Sequence, residues 1–554
     1  MSPMSQWLWM ALAMATASAA QASSVMDTYD YIIIGGGTAG MTLASRLSAV
    51  PENTVLVIEA GSLDNYEAAV MIPRFYPGAS GFAPGTRYDW NLTTVPQTFL
   101  QGQTVNLTQG QTIGGSSTVN AMIFDRGMPS NYDSWAALGN EGWGFENLLP
   151  YFKKSETFAA ATPEHASLYG LTHDPACHGY EGPVQSSYLA WSHPNNITKI
   201  ILDTANGKMI AKGVEFSSTT DGSLQTAVAT QEIILSAGAL NSPKILQLSG
   251  IGPAHLLTNT GINVTVDLPG VGENLQDHPF GLTLASLNPG IPANSDLDNA
   301  TFDAEQRDLY YAERKGRWTD TIAEALAFIP LYNFTEADLS NNLISSIEAN
   351  STQYLHDSID STVVAGYEKQ TGLIASMHSK GSTAAMELLY VDGGRSVVNI
   401  LMHPLSRGTV SITSSDPFAP PAIDPRYFSH PYDGQVLVES LRFNRKLLAT
   451  ASIQALAATE TLPGTATESD ADILSFIKGV TSTEYHYVGT CAMLPKALGG
   501  VVDAELKVYG VDGLRVVDAS IMPLLPSAHT QATVYAIAEK AADIILGHSV
   551  EGRE

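Results

Sequence analysis

Two histidines near the C-terminal end are the residues best suited to proton chemistry. His486 stands in Glu484-Tyr485-His486-Tyr487-Val488-Gly489-Thr490-Cys491, just before a Gly-Thr turn. His529 follows 43 residues on, in Ser527-Ala528-His529-Thr530-Gln531. Imidazole titrates near neutrality and can take a hydroxyl proton. A single histidine before a turn is more commonly structural. Two become a catalytic pair only where the intervening strand brings both to one reactive group.

The element able to hold such a group lies at the other end of the chain, in residues 31–61. Tyr31-Ile32-Ile33-Ile34 is a continuous apolar run suited to a strand buried on both faces. Gly35-Gly36-Gly37-Thr38-Ala39-Gly40 satisfies G-x-G-x-x-G at positions 35, 37 and 40, and a helix-period segment follows with Leu43, Ala44 and Leu47 on one side. A second strand, Val55-Leu56-Val57-Ile58, ends in Glu59, nineteen residues after Gly40. Gly35 allows the tight turn, Gly37 a close approach of pyrophosphate, and Gly40 the packing of helix on strand. The helix N-terminus presents N–H groups to phosphate, and Glu59 can accept hydrogen bonds from a ribose diol. The pattern indicates a dinucleotide with an unphosphorylated ribose, FAD or NAD rather than NADP.

The remaining chain is long enough, at 554 residues, to require two or more domains. Net charge is -27, from 28 Lys+Arg against 55 Asp+Glu, which repels phosphate backbones and excludes nucleic acid as an expected partner. Trp7 to Ala17 is apolar but too short to span a membrane, and Ala20-Gln21-Ala22 fits an A-x-A cleavage site, so residues 1–22 read as an export signal. Seven N-x-[ST] sequons, at Asn91, Asn106, Asn196, Asn263, Asn299, Asn333 and Asn350, agree with a secreted glycoprotein. No later segment is apolar enough for a membrane helix. Two cysteines, Cys177 and Cys491, do not make a disulfide scaffold.

Between the two ends, residues 62–135 read as loop, with Gly114-Gly115-Ser116-Ser117 offering backbone and hydroxyl donors to a flavin or phosphate. Residues 135–160 read as surface helix, 197–238 as a meander ending in a buried strand, and 433–456 as a long amphipathic helix. Asn241 or Ser242 can cap a short helix with Pro243 at its first position. Residues 397–412 alternate as two strands, with Ser406-Arg407-Gly408 as a hairpin cue. Residues 514–520 read as a strand and polar turn, and 534–546 as a closing helix.

Several separate motifs resemble the glucose-methanol-choline (GMC) family of FAD oxidoreductases, in the form of its fungal secreted members. They are GGGTAG with Glu59, GQTIGGSSTVNAM at 110–122, GALNSPKILQLSGIG at 238–252, PGVGENLQDH at 269–278, and YHYVGTCAM, GLRVVDASIMP and HTQATVYAIAEKAADII near the end. The resemblance covers most of residues 29–546. It implies an α/β fold: a Rossmann-like FAD-binding domain, residues 27–280, a second α+β substrate domain built on an antiparallel sheet, mainly 281–480, and a return to the FAD domain over 481–546.

Carried over by position, the resemblance places Thr38 and Ala39 along the pyrophosphate and Glu59 and Ala60 near the adenosine ribose. Trp90, Gly115 and Ser116 fall near the flavin, with Asn120, Ala121, Met122 and Ile123 passing its ring. Asp518, Ala519, Thr530 and Gln531 make the C-terminal contacts. His486 matches the family's base and His529 its partner. Some members attach FAD through a histidine in the GGSS region; Thr118 and Val119 stand there, so FAD is expected to be non-covalent. The implied reaction oxidises a small or aromatic alcohol, by analogy an intermediate of fungal secondary metabolism, with oxygen or another electron acceptor as second substrate. A homodimer is compatible with it. The runner-up is non-redox cyclisation-dehydration or lyase chemistry by the same histidines over structural FAD. A third reading is a non-catalytic paralogue.

Two departures stand out. Gln111 replaces the family's usual Arg, Lys or Asn. After Gln185 the chain passes through only Ser186 to Asn196, where relatives carry a substantial stretch that helps cover the flavin. This is either a naturally shortened variant or a sequence lacking coding segments. It leaves Cys177 without the partner that CHG cysteines have in relatives, and weakens Ile197 as an adenine contact.

Overall fold

The computed structural model describes residues 28–75, 86–160, 173–186, 199–205, 208–217, 225–288, 293–320, 325–349, 351–392 and 395–548. The export signal, Asn196, Ile197 and Asn350 lie outside the described residues.

Strand β1 (Thr28–Ile34), helix α1 (Thr38–Ser48) and strand β2 (Val55–Ile58) form the opening unit, with β1 and β2 parallel. Ile32, Ile33 and Ile34 are fully buried because β1 is an inner strand covered on both faces. Helices α2 (Pro129–Ala137) and α3 (Phe145–Ser155) follow. They are less superficial than the sequence reading has it: Tyr132 and Trp135, then Leu148 and Phe152, are buried at helical spacing.

Strands β3 (Lys199–Ala205), β4 (Lys208–Phe216) and β5 (Gln225–Leu235) form the expected meander, and β5 then lies parallel to β1. The short helix α4 (Ser242–Leu248) begins after Asn241 with Pro243 in its first turn and is buried throughout.

The second sheet is antiparallel. Strands β6 (Pro279–Ser286) and β7 (Ala325–Ile329) come first, then helix α5 (Ser361–Ser379). Strands β8 (Met386–Val391) and β9 (Ser396–Leu401), helix α6 (Pro431–Leu448), and strands β10 (Thr459–Leu462) and β11 (Ser482–Thr483) complete it. Its order is β7-β8-β9-β6-β10, with β11 also on β6, and α6 packs across β9 and β6. β7 had no signal that the sequence reading used.

The hairpin expected around Ser406-Arg407-Gly408 does not form. β9 pairs with β8 and β6, whereas Thr409–Ser411 pairs with Ala422–Asp424. The connection is drawn inward instead: Arg407 is 4% exposed and donates to the carbonyls of Pro404 and Ser406 and to Asn274 Oδ1, while Gly408 and Leu275 exchange backbone bonds. A buried guanidinium is tolerable only where its donors are used, and here the connection itself supplies acceptors.

The chain then returns to the first sheet. β12 (Val511–Asp512) joins β4 and β13 (Leu514–Val516) joins β5, both in parallel. Helix α7 (Thr530–Leu546) packs on α1 and α3 and begins four residues earlier than the sequence reading has it. Arg46 of α1 donates from Nε to the buried Glu539 of α7 at 2.9 Å, locking the two ends of the chain together.

Candidate active site

A cavity of about 640 Å³ is lined from both sheets. Every site residue singled out in the sequence lines it except Gly40. Gly40 is buried, and a Cβ there would sit 1.9 Å from the Gly35 carbonyl, so its role is close packing of α1 on the loop. Gly35 has φ +104°, and its Cβ would sit 2.3 Å from the Ser236 carbonyl.

Glu59 and Asp518 line the cavity as braces. Glu59 accepts from Gly36 N at 2.7 Å and Gly61 N at 2.8 Å. Asp518 accepts from Gly238 N at 2.9 Å, from Ser520 N at 2.8 Å and from Ser242 Oγ, tying β13 to the start of α4. Burial raises both carboxyls above their usual range, with the backbone donors opposing it. Asn120 donates to Gln531 Oε1 at 2.9 Å and accepts from Met122 N, which holds Met122 at φ +65° on the cavity wall.

The two histidines meet at the far end, their ring centroids 4.9 Å apart and their planes nearly perpendicular. His486 is fixed twice by the end of the NLQDH motif. Its backbone N donates to the buried Asp277 at 2.9 Å, and its Nδ1 lies 2.9 Å from His278 Nδ1. His278 Nε2 lies 2.9 Å from the Met402 carbonyl, which can only accept. Burial drops His278 to about 3, so the ring is neutral with its one hydrogen on Nε2. Its Nδ1 must therefore accept, and His486 must donate from Nδ1. Burial, with His529 and His278 beside it, holds His486 well below the usual imidazole value. His486 is thus a neutral ring with a lone pair on Nε2.

His529 is the opposite case. Burial opposes its charge, yet Asp125, Glu387 and Glu484 together raise it to about 9. Asp125 accepts from His529 N at 3.0 Å and lies 3.3 Å from Nδ1. Glu387 Oε1 stands 3.8 Å from Nε2. Two adjacent titratable groups with values pushed apart make an acceptor beside a donor. On the cavity side, Ile123, Phe280, Leu389 and Val398 form an apolar wall, and Glu484, raised to about 7 by burial, lines the cavity nearby.

Sequence reasoning missed His278, Asp277, Asp125, Glu387 and Glu484 as members of this cluster. The first two sit inside a quoted motif and Glu484 two residues from His486, so proximity to a motif was a usable signal. Asp125, two residues after Ile123, had the same signal, and Glu387 had none.

The N-terminal domain model of GMC oxidoreductases matches residues 29–180 and 191–280, and the C-terminal one residues 404–538. The chain belongs to the GMC oxidoreductase family. It is 35% identical to the dehydrogenase xptC of Emericella nidulans, over 94% of this chain and 93% of that one. A FAD-dependent oxidoreductase from Chaetomium thermophilum superposes with a TM-score of 0.88 at 35% identity, covering 94% and 99% of the two chains. A fungal aryl-alcohol oxidase superposes with 0.85 at 32%, covering 94% and 99%. The alignment with xptC extends over 592 positions, more than the 554 residues here, so that GMC relative carries segments this chain lacks. The N-terminal match is itself interrupted at 181–190.

As a GMC protein the chain is an FAD-dependent oxidoreductase, and its cavity fits that cofactor. Among the described residues no side chain caps α1, so the donors of its first turn are open to pyrophosphate. Gln109 Oε1, Ser236 Oγ and Asn241 Nδ2, all on the cavity wall, are buried without a partner among the described residues. Such atoms suit a polar ligand rather than an apolar one.

Proposed function

We infer that this enzyme oxidises an alcohol, with His486 as general base and His529 as the donor that holds the substrate oxygen. The observation that carries this reading is the proton arrangement of the pair. His278 commits the hydrogen of His486 to Nδ1, which leaves Nε2 free to take the hydroxyl proton. His529, kept protonated beside Asp125, presents Nε2–H to the same oxygen and stabilises the negative charge that develops on it. A positioned base of this kind contributes ~10²–10⁴-fold. FAD, when bound, supplies the acceptor for the hydride leaving the carbinol carbon. Thr118 donates to the Ile113 carbonyl at 2.6 Å and Val119 is an apolar side chain, which supports a non-covalent cofactor.

The apolar wall of Ile123, Phe280, Leu389 and Val398 favours a small aromatic or apolar alcohol, and the likeness to an aryl-alcohol oxidase agrees. The test is anaerobic mixing of the yellow holoenzyme with benzylic alcohols. Bleaching of the flavin band with formation of aldehyde is expected, and His486→Asn should slow it by ~10²-fold or more. Alcohol turnover with an unbleached band would refute the reading.

Export is part of the same proposal. Asn91, Asn106, Asn263, Asn299 and Asn333 are all exposed, as glycan acceptors must be, and among the described residues no helix is long and apolar enough to cross a membrane. Enzymatic deglycosylation of the secreted protein should increase its mobility on a gel; unchanged mobility would count against it.

A further inference from the structure

Glu387 breaks the pattern of its own sheet. It stands on β8 between Phe328 of β7 and Ile400 of β9, and Ile400 stands opposite Phe280 of β6. Its three companions Phe328, Ile400 and Phe280 are apolar, Ser482 of β11 at the far edge is the row's other polar member, and the neighbouring row runs through Leu389 and Val398. Glu387 is completely buried, and neither carboxyl oxygen has a hydrogen-bond partner among the described residues. Leucine or methionine would satisfy packing there without the penalty of an unpartnered carboxyl. A local rule broken this openly is expected where function compensates for it.

The group that Glu387 faces is His529. The 3.8 Å to Nε2 is too long for a hydrogen bond, so the Nε2–H remains available to a substrate oxygen, yet short enough for each charge state to govern the other. On its other side the ring meets Asp125. Glu484, His486 and His278 complete the titratable groups around it. Glu387 does not line the cavity, so it acts through the ring and not on substrate.

We propose that Glu387 is a positioning residue of the reaction: it closes a carboxyl bracket around His529, with Asp125 on Nδ1 and itself toward Nε2, and keeps that ring protonated and donating to the substrate oxygen. The role rests on the alcohol-oxidation reading, and it sets the pH at which the enzyme loses its donor. Burial lifts the Glu387 carboxyl to about 8, with His529 opposing. A carboxyl raised in the folded state adds stability below its unfolded value of 4.5, and that contribution is lost as pH rises through the folded value.

The test compares the wild-type holoenzyme with Glu387→Gln and Glu387→Asp. In Glu387→Gln, the alkaline limb of the kcat profile should move down by about one pH unit, so that kcat falls roughly tenfold at alkaline pH, where the wild-type carboxyl is ionised, at little cost in KM. Glu387→Asp should keep the wild-type limb. Independently, the Tm of Glu387→Gln relative to wild type should rise between about pH 5 and pH 8, because the variant has no carboxyl to ionise. An unmoved limb in Glu387→Gln, or equal shifts in both variants, overturns the proposal. If Glu387→Gln does not fold, Glu387→Met, suited to the apolar row, carries the same expectations. If wild type bleaches with no alcohol, the alcohol reading fails by itself. The Tm comparison then decides whether Glu387 titrates with His529, and a pH-independent gap overturns it.

Discussion

His278 and His486 face each other Nδ1 to Nδ1 at 2.9 Å, and the Met402 carbonyl behind His278 decides which of them donates. In the proposed reaction the base is therefore defined by a residue that need not touch substrate. Asp277, next in the chain, fixes the backbone of the same histidine, so two consecutive side chains of one motif set both the position and the tautomer of His486.

Replacing His278 by Phe removes the acceptor and frees the His486 ring to carry its hydrogen on Nε2. The expected result is a roughly 10²-fold loss of kcat with KM nearly unchanged and flavin content retained. Stopped-flow reduction of the flavin checks it; wild-type reduction rates would show that the Nδ1 contact is structural only.

The cofactor half of this site was legible in the sequence because its parts are consecutive. Gly35, Gly37, Gly40 and Glu59 fall in one strand–turn–helix–strand run, although only Gly40 answers a contact within that run, whereas Gly35 faces Ser236 and Gly37 faces Gly115. The reacting half was legible only as two motifs. Glu387 belongs to a segment that looks ordinary, and only the meeting of β8 with the start of α7 gives it a partner, while Asp125, just past the 110–122 motif, meets His529 from 404 residues away in the chain. The hairpin expected at Ser406-Arg407-Gly408 failed for a related reason: β9 is paired on one side with β8, which directly precedes it, and on the other with β6, more than a hundred residues earlier, so neither edge was left for the segment after Gly408.

Gly35→Ala places a Cβ at φ +104° and 2.3 Å from the Ser236 carbonyl, which is backbone and cannot swing away. The protein should purify without yellow colour or lose its flavin on gel filtration. Full flavin occupancy would show that the turn can shift to admit a side chain.

His378 is one of several buried histidines that weaken the fold in acid. Burial lowers it to about 4, its Nδ1 has no partner among the described residues, and Tyr432 OH lies 3.1 Å from Nε2. The unfolded chain binds a proton at His378 below pH 6.5, and the folded one only near 4, so this residue destabilises the fold as pH falls through that window. The full effect is about 3 kcal/mol. His378→Leu loses the Tyr432 contact at every pH, but its Tm should gain on wild type steadily from pH 6.5 to pH 4. A gap that stays constant would mean that His378 takes up no proton on unfolding.

The central claim is that His486 takes a hydroxyl proton while hydride leaves the same substrate's carbon. It is tested most directly by flavin reduction with a benzylic alcohol carrying deuterium at the carbinol carbon, under anaerobic conditions. The account predicts flavin bleaching with a primary isotope effect and a rate that falls on acidification as His486 becomes protonated. Conversion of the alcohol with the flavin band intact and no isotope effect would contradict it, and would move the histidine pair to non-redox acid–base chemistry.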